Sequence, residues 1–278
     1  MCKTIRGILT ALLALIIIAG SLAQLSGCKG NTTSAALPGA TPVVPPPTVS
    51  AYPVATDIRQ ADPLQDPTWL HAQWFTFLPP INTTLSTPTT HAAILYDAAN
   101  LYVAVVSRRT PAVHDTISLF IDTTCSGKQL LEVSCDSLGK TDATWYHSAM
   151  AAAPKDDGTP NLAHPLSTIP ELPIPGLSTN LRSANINGTD LWTVVLTIPT
   201  KMLPQALRTS PSADAHWKVN LIRTLTVPSA TDANSLEYRQ SNLSQVFQGA
   251  QPVSPYRLAD LRLLPPTAAL PTPNTNHW

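Results

Sequence analysis

The stretch from His114 to Lys140, HDTISLFIDTTCSGKQLLEVSCDSLGK, decides the fold class. In its first part, isoleucine and leucine at 117, 119 and 121 alternate with threonine, serine and phenylalanine at 116, 118 and 120. A polar loop containing Gly127 follows, then a second β-rich run from Leu130 to Cys135, which Asp136–Gly139 ends. Two such runs separated by a short glycine-containing loop predict a β-hairpin.

Working outward, the same kind of pattern recurs along most of the chain. Further strands are expected at 93–96, 101–106, 141–146, 181–186, 192–198, 217–227 and 257–263, with residues 237–246 ambiguous. Helical periodicity is nearly absent apart from one or two turns expected at 200–207, and proline, glycine and asparagine punctuate the runs. The sequence therefore predicts an all-β fold, a β-sandwich of immunoglobulin or jelly-roll type with about nine or more antiparallel strands.

The N-terminal segment has the pattern of an export signal. Lys3 and Arg6 form a basic start, and residues 7–23 are an apolar run. A transmembrane helix is the alternative, since the run is close to the lower length limit for spanning a bilayer. The residues Leu25-Ser-Gly-Cys28 match the bacterial lipoprotein box, which favours a signal peptide over residues 1–27 and lipidation of Cys28. Acyl chains on Cys28 would then bind the protein to a membrane.

The predicted organisation follows from this anchor. Residues 28–53, rich in Pro, Thr, Ser and Ala, are expected to form a linker that lifts the domain off the membrane. Residues 54–264 are the predicted β-sandwich, and residues 265–278 a disordered Pro-rich tail. The expected location is the cell envelope. Lys29, rather than Asp, after the cleavage site points to the outer membrane if the bacterium has two membranes.

Charge and cysteine usage narrow the functional classes. The formal net charge is zero, charged residues make up 12% of the chain, and no Lys/Arg run occurs beyond the signal peptide. The chain therefore lacks the clustered basic residues by which nucleic-acid-binding proteins attract phosphate groups. In an exported protein disulfides persist, so Cys125 and Cys135, at the loop and at the end of the returning strand, are predicted to form one.

Several motifs, in this order, resemble the family 9-like carbohydrate-binding modules, a DOMON-like β-sandwich group of exported bacterial proteins. The matching segments are an Asp-rich stretch ending in Trp69, then NLYVA at 100–104, HDTISLFID at 114–122, CDSLG at 135–139, WTVVLTIP at 192–199 and WKVNLIR at 217–223. The chain departs from the family where acidic residues are expected, with Ser118, Ser134 and Val195 in their place. The resemblance implies a non-catalytic domain that binds a saccharide or polysaccharide.

Saccharide binding requires an aromatic face for the sugar ring and polar side chains for the hydroxyls. The candidate ligand-binding residues around the hairpin are Trp145, Tyr146, Arg109, Asp136 and His147. Trp145 is either a stacking platform or a half-buried edge residue, because its neighbours are polar. The tryptophans that open or precede strands, Trp69, Trp192 and Trp217, are expected to be core residues.

Two acidic residues flank the first hairpin strand. The resemblance implies calcium in some family members, so Asp115 and Asp122 are candidates for Ca²⁺, although turn and capping roles are commoner for aspartate. No other cofactor is expected. Arg223 lies within a predicted strand, where pairing with a carboxylate is the simplest role.

Other functions stay open. The sequence contains none of the G-x-S-x-G, H-E-x-x-H, C-x-x-C or phosphate-loop motifs, so we expect no enzyme. One alternative is a haem-binding sandwich using His147 with Met150 or Met202. Another is a surface or periplasmic interaction scaffold that binds no small ligand.

Overall fold

The computed structural model describes residues 45–80, 87–112, 114–125, 129–147, 167–168, 176–203, 215–229, 232, 235–245 and 258–273. The predicted signal peptide, Cys28 and most of the predicted linker lie outside these residues. So do residues 148–166 and 169–175. In the described part of the chain, no helix is long and apolar enough to cross a membrane.

Strands dominate the described residues, which confirms the all-β prediction. The described ranges contain thirteen strands: β1 (Thr48–Pro53), β2 (Trp74–Thr76), β3 (Thr90–Tyr96), β4 (Asn100–Arg108), β5 (His114–Asp122), β6 (Gln129–Asp136), β7 (Thr141–His147), β8 (Ser167–Thr168), β9 (Ser178–Ile186), β10 (Thr189–Pro199), β11 (His216–Pro228), β12 (Leu236–Asn242) and β13 (Ala259–Leu263). The described residues also contain one short helix, α1 (Pro67–Leu70), and one 3₁₀ turn at Thr200–Met202.

The strands form two halves that share β1. One half has the order β8-β7-β6-β5-β11-β13-β1, with β12 extending the pairing along β11. The other has the order β1-β3-β4-β10-β9, with β2 beside β3. β5 and β6 form the predicted hairpin, in which Ser118 lies opposite Ser134. The hairpin is therefore central to the first half.

β1 corrects two predictions. Its residues Thr48–Ala51 pair with β13, and Tyr52 and Pro53 pair with β3; both pairings are parallel, so the fold is not purely antiparallel. β1 also lies inside the segment predicted to be a linker up to residue 53. The strand is short and follows three prolines, and contacts with residues distant in sequence stabilise it, so the local sequence did not predict it.

The main core lies between the inner faces of the two halves. It includes Ile94, Val103, Val105 and Val194 from one half and Ile117, Leu119, Val133 and Leu221 from the other. Trp192 and Trp217 are 2% and 1% exposed and belong to this core, as predicted. Burying such side chains contributes roughly 1.5–3 kcal/mol each relative to exposure.

A second apolar cluster covers the outer face of β3, β4 and β10. The segment between β1 and β2 crosses this face, and Asp66 caps α1 by accepting a hydrogen bond from the Thr68 N–H at 2.8 Å. The cap places Trp69, which is fully buried against Leu95 and Tyr102. The packing role predicted for Trp69 is confirmed.

The predicted disordered tail is ordered over its first part. Residues 265–273 are among those described, and Ala268 N–H donates to Pro265 O at 2.9 Å. Further along, the Nδ1 atom of His71 lies 3.1 Å from the carbonyl oxygen of Pro271. The contact brings the tail against the segment that follows α1.

The predicted Cys125–Cys135 disulfide is wrong, because Cys135 is a free, buried thiol. Cys135 lies opposite Ile117 in the hairpin, whereas Cys125 follows β5 at the loop end. From Ile117 to Asp122 the strand already rises about 17 Å, and a disulfide requires Cα atoms within about 7 Å. The two cysteines lie at opposite ends of the hairpin.

Candidate functional site

A cavity of about 300 Å³ opens where β4 ends, β5 begins and β6 turns into β7. Its lining includes Arg109, His114, Asp115, Asp136, Ser137 and Leu138. The chain reaches this place three times, because the two hairpin strands pair along their length and the segment after β4 leads into β5. Two of the predicted ligand-binding residues, Arg109 and Asp136, are thereby brought together.

The turn after β6 gives Asp136 a fixed geometry. The Oδ1 atom of Asp136 accepts hydrogen bonds from the backbone N–H groups of Leu138 at 2.9 Å and Lys140 at 2.8 Å. Gly139 has φ of 87°, a left-handed conformation that glycine adopts without steric cost. Ser137 N–H donates to the Asp115 carbonyl at 2.9 Å, which ties the turn to β5. Asp136 therefore combines a turn role with a place on the cavity wall.

Arg109 lies at the junction of two depressions. Its backbone N–H donates to Asp190 O at 2.7 Å, and its side chain is exposed with Nη1 3.4 Å from Ser183 Oγ. A second depression of about 310 Å³, lined by Ser183, Asn185 and Asp190 among others, shares Arg109 with the first. No ion pair links Arg109 to a carboxylate within the described ranges. The guanidinium is therefore available to a ligand.

A buried ion pair lies behind the cavity. The Arg223 guanidinium, fully buried in β11, donates from Nε to Asp115 Oδ1 at 2.9 Å and from Nη2 to Oδ2 at 2.7 Å. Such a bidentate geometry is the strongest form of arginine–carboxylate pairing. The guanidinium carbon lies 5.8 Å from the centroid of the Trp192 ring, within cation–π range. The carboxylate pairing predicted for Arg223 is present.

Arg223 also binds the end of β4 and the segment that leads into β3. Nη2 donates to Arg108 O at 3.0 Å, and Nη1 donates to Thr90 Oγ1 at 3.1 Å and to Pro88 O at 3.4 Å. With the two bonds to Asp115, all five guanidinium N–H groups have acceptors. Because Arg108 directly precedes Arg109, the buried arginine fixes the backbone from which Arg109 projects.

The two predicted calcium ligands do not form one site. Asp115 and Asp122 lie at opposite ends of β5, and both oxygens of Asp115 are bound by Arg223. Asp122 accepts from the Thr124 N–H and hydroxyl at 2.9 and 2.8 Å, which is a turn role. Calcium requires six to eight oxygen ligands, and the residues that the structure describes contain no group of three or more His, Cys, Asp or Glu suited to a metal. These residues do not fit the ion.

The remaining predicted ligand residues lie at the other end of the hairpin. Trp145 is opposite Leu131, and Tyr146 is opposite Leu130. Since Leu131 and Asp136 are about 17 Å apart along β6, neither aromatic residue reaches the cavity. His147 ends β7, and its side chain lies outside the described set. So do Met150 and the side chain of Met202, the other residues of the haem alternative.

Trp145 and Tyr146 point to opposite faces of the sheet, as neighbouring strand residues do. Trp145 is half-buried and packs against the main core. Tyr146 packs on the outer face against Phe120 and Leu130, and its hydroxyl donates to Glu132 Oε2 at 2.5 Å. Burial and the bond to Glu132 raise the pKa of the Tyr146 phenol well above its usual range. The two rings therefore cannot form one sugar-binding surface.

His114 and Ser137 are among the cavity residues that sequence reasoning missed. Both lie just outside the buried part of a strand, at its start and just after its end. A hairpin brings those two positions to the same end of a sheet, and this signal was available once the β5–β6 pairing was predicted. Arg109, after the end of β4, was among the predicted residues, but its approach to this end of the hairpin depends on long-range packing.

Solved structures with the same fold exist. A protein of Bacteroides uniformis, described as "a putative carbohydrate-binding protein", aligns with a TM-score of 0.54 and 11% identity over 78% of this chain and 99% of its own. The two chains share a fold. The predicted likeness to a carbohydrate-binding β-sandwich is thus confirmed for the fold, and at this identity for the fold alone.

Two weaker matches are structures of a carbohydrate-binding module family 9 (CBM9) from Caldicellulosiruptor kristjanssonii. The complex with cellotriose aligns with a TM-score of 0.49 over 81% of this chain and 98% of its own. The complex with glucose aligns with a TM-score of 0.47 over 82% and 99%. Identity is 11% in both. No family model matches the sequence, and no curated protein matches it significantly.

Proposed function

We propose that the protein is a non-catalytic saccharide-binding domain that Cys28 anchors to a membrane outside the cytoplasm. The observation that carries the binding proposal is the cavity at the end of the hairpin. Arg109, His114 and Asp136 reach it from separate segments, and all carry hydrogen-bonding groups suited to sugar hydroxyls. The Bacteroides protein that shares the fold is described as carbohydrate-binding, which supports the same ligand class.

The size and chemistry of the cavity indicate a small, weakly bound unit. A volume of about 300 Å³ is at the small end of ligand pockets. No aromatic side chain occurs in its described lining, so stacking adds nothing there. Each polar contact must first lose water and contributes only about 0.5–1.5 kcal/mol net. We therefore expect dissociation constants on the order of micromolar to millimolar.

A glycan array followed by titration calorimetry tests the binding proposal. Arg109→Ala should weaken binding to any glycan that the wild type binds by about tenfold, because a charge-assisted hydrogen bond is lost. Arg262→Ala is the matched control, since Arg262 is also exposed but lies opposite His216, at the far end of β11 from the cavity. Equal affinities of the wild type and both variants would show that the glycan does not bind in the cavity. A wild type that binds no glycan would favour the interaction scaffold.

The anchoring proposal rests on the sequence at 25–28 and has its own test. Cys28→Ser should prevent lipidation and leave an uncleaved precursor, because cleavage precedes a cysteine that carries the lipid. Membrane fractionation and intact mass would measure this. A variant that is as short and as firmly membrane-bound as the wild type would contradict the anchor.

A further inference from the structure

On the side away from the main core, strands β12, β11, β5 and β6 carry two neighbouring rows of side chains. In the first row Tyr238 lies opposite Thr226, which lies opposite His114. Directly opposed residues of antiparallel strands point to the same face. These residues alternate with core residues such as Ile117 and Leu221, so the face they share is the outer one.

The second row is polar from end to end. It contains Gln240, Thr224, Thr116 and Asp136 on four successive strands. All four side chains are only partly buried, so their hydroxyl, amide and carboxylate groups are accessible to a ligand. We call the accessible residues of the two rows the outer strip: Tyr238, His114, Gln240, Thr224, Thr116 and Asp136.

Tyr238 is unusual among the aromatic residues. Its side chain is 66% exposed, and it is the single exposed aromatic residue in the part of the chain that the structure describes. The ring therefore adds little to the core of the fold. An aromatic ring held on a strand beside a polar row offers the apolar face that the cavity lacks.

The outer strip has definite limits. Further along the same face, Phe120 and Ile222 are covered by Leu258 and Tyr146. Asn220 is buried there and exchanges hydrogen bonds with the backbone of Ser244 at 2.9 and 3.1 Å. In the other direction the strip is continuous with the cavity, because His114 and Asp136 belong to both. The strip is thus an open extension of the cavity.

The charge of the outer strip indicates which class of ligand can bind there. The strip contains one carboxyl side chain, Asp136, whose Oδ1 is already bound in its turn. The threonine hydroxyls and the Gln240 amide are uncharged donors and acceptors, which match a ligand rich in uncharged hydroxyl groups. Neither a polyanion nor a polycation finds a row of opposite charges here.

We propose that the outer strip and the cavity together bind a neutral oligosaccharide chain that lies across the strands, with one sugar ring stacked on Tyr238 and another in the cavity. From β12 to β6 there are three strand spacings, about 14 Å in all, which one sugar ring does not span. The inference rests on the proposed saccharide-binding function and specifies its ligand as a chain.

A length series tests the inference on the full-length protein. Calorimetric titrations would use units of one, three and six sugars from neutral gluco-, xylo-, manno- and galacto-backbones, and the same lengths of galacturonic acid. In at least one neutral series the trimer should bind about tenfold more tightly than the single sugar. Tyr238→Ala should abolish this gain and leave the affinity for the single sugar unchanged.

Three further variants sharpen the result. Tyr238→Phe keeps the ring and should keep the length gain, and Leu270→Ala, another exposed apolar residue, should behave as the wild type. Thr224→Val keeps the β-branched shape and removes one hydroxyl, so trimer affinity should fall several-fold even if Tyr238→Ala does not fold.

The outcomes separate the two proposals. If affinity does not increase with length, if Tyr238→Ala keeps the gain, or if only galacturonic acid chains bind, the inference is wrong while saccharide binding stands. If the wild type binds no saccharide of any series, the proposed function fails and the inference fails with it.

Discussion

The Cys135 thiol lies on the core side of β6, where its sulfur donates a weak hydrogen bond to the carbonyl of Asp136. Burial, with a smaller effect of the Asp136 charge, raises the pKa of the thiol from an ordinary 9.0 to about 11. A thiol that stays protonated near neutral pH is a poor nucleophile. Cys135 therefore contributes to the packing of the core and not to a reaction.

Alkylation should reveal this burial directly. With iodoacetamide and no reductant, Cys135 should stay unlabelled in the native protein and become labelled in guanidinium, with peptide mass spectrometry as the readout. If Cys135 is labelled in guanidinium only after reduction, the residue forms a disulfide and the free thiol is wrong.

The raised pKa also predicts a loss of stability in alkali. Between about pH 9 and 11 the unfolded thiol ionises while the folded one keeps its proton, so the free energy of unfolding falls as the pH rises. Relative to Cys135→Ala, the wild type should lose about 1–2 kcal/mol over this window. Urea titrations at pH 8 and pH 10.5 measure the difference, and a gap that does not change with pH would contradict the burial.

Trp145 gives a second prediction for one residue. Because its ring packs against the main core, Trp145→Ala should lower the free energy of unfolding by about 2–4 kcal/mol, and Trp145→Phe by less. Urea denaturation measures both. A Trp145→Ala protein that keeps its stability but no longer binds glycans would instead identify Trp145 as the stacking platform.

At the scale of elements, Arg223 connects β11 to β5, to the end of β4 and to the segment before β3. Arg223→Met should cost about 3–5 kcal/mol, because it leaves the Asp115 charge buried without its partner. Adding Asp115→Leu should recover much of that loss. Arg239→Met is the control: its pair with Glu237 is partly exposed and should contribute about 0–1 kcal/mol.

Urea titration of the four proteins gives these differences. A single Arg223→Met variant as stable as the Arg239→Met control would show that the buried pair does not hold the strands together. A double variant no better than the single one would show that the backbone contacts of Arg223, rather than the buried charge, account for the cost.

Elements with a clear local sequence pattern could be predicted, and elements that depend on distant partners could not. β5, β6 and β10 carry alternating or β-branched runs, so the sequence alone predicted them. β1 was missed because its partners, β13 and β3, are distant in sequence. The cysteine pairing failed for a geometric reason: a loop residue and a residue at the end of the returning strand lie at opposite ends of a hairpin. The same geometry separates Asp136 from Trp145, so residues that were predicted to form one site lie at opposite ends of the hairpin.

At the scale of the whole molecule, β1 predicts where the folding unit begins. A protein starting at Thr48 should fold, whereas one starting at Val54, the predicted domain boundary, should lose the strand that joins the two halves. Circular dichroism and a cooperative thermal transition measure the result. A fully folded, equally stable protein starting at Val54 would show that β1 is dispensable.

The place of β1 also has a mechanical consequence. β1 and β13 run parallel, so pulling on the chain before β1 and after β13 drags the two strands past each other in opposite directions. The hydrogen bonds between the two strands are then loaded together, in shear, and do not break one after another. A domain held by its N-terminal segment and pulled by whatever it binds would therefore resist force through this short strand.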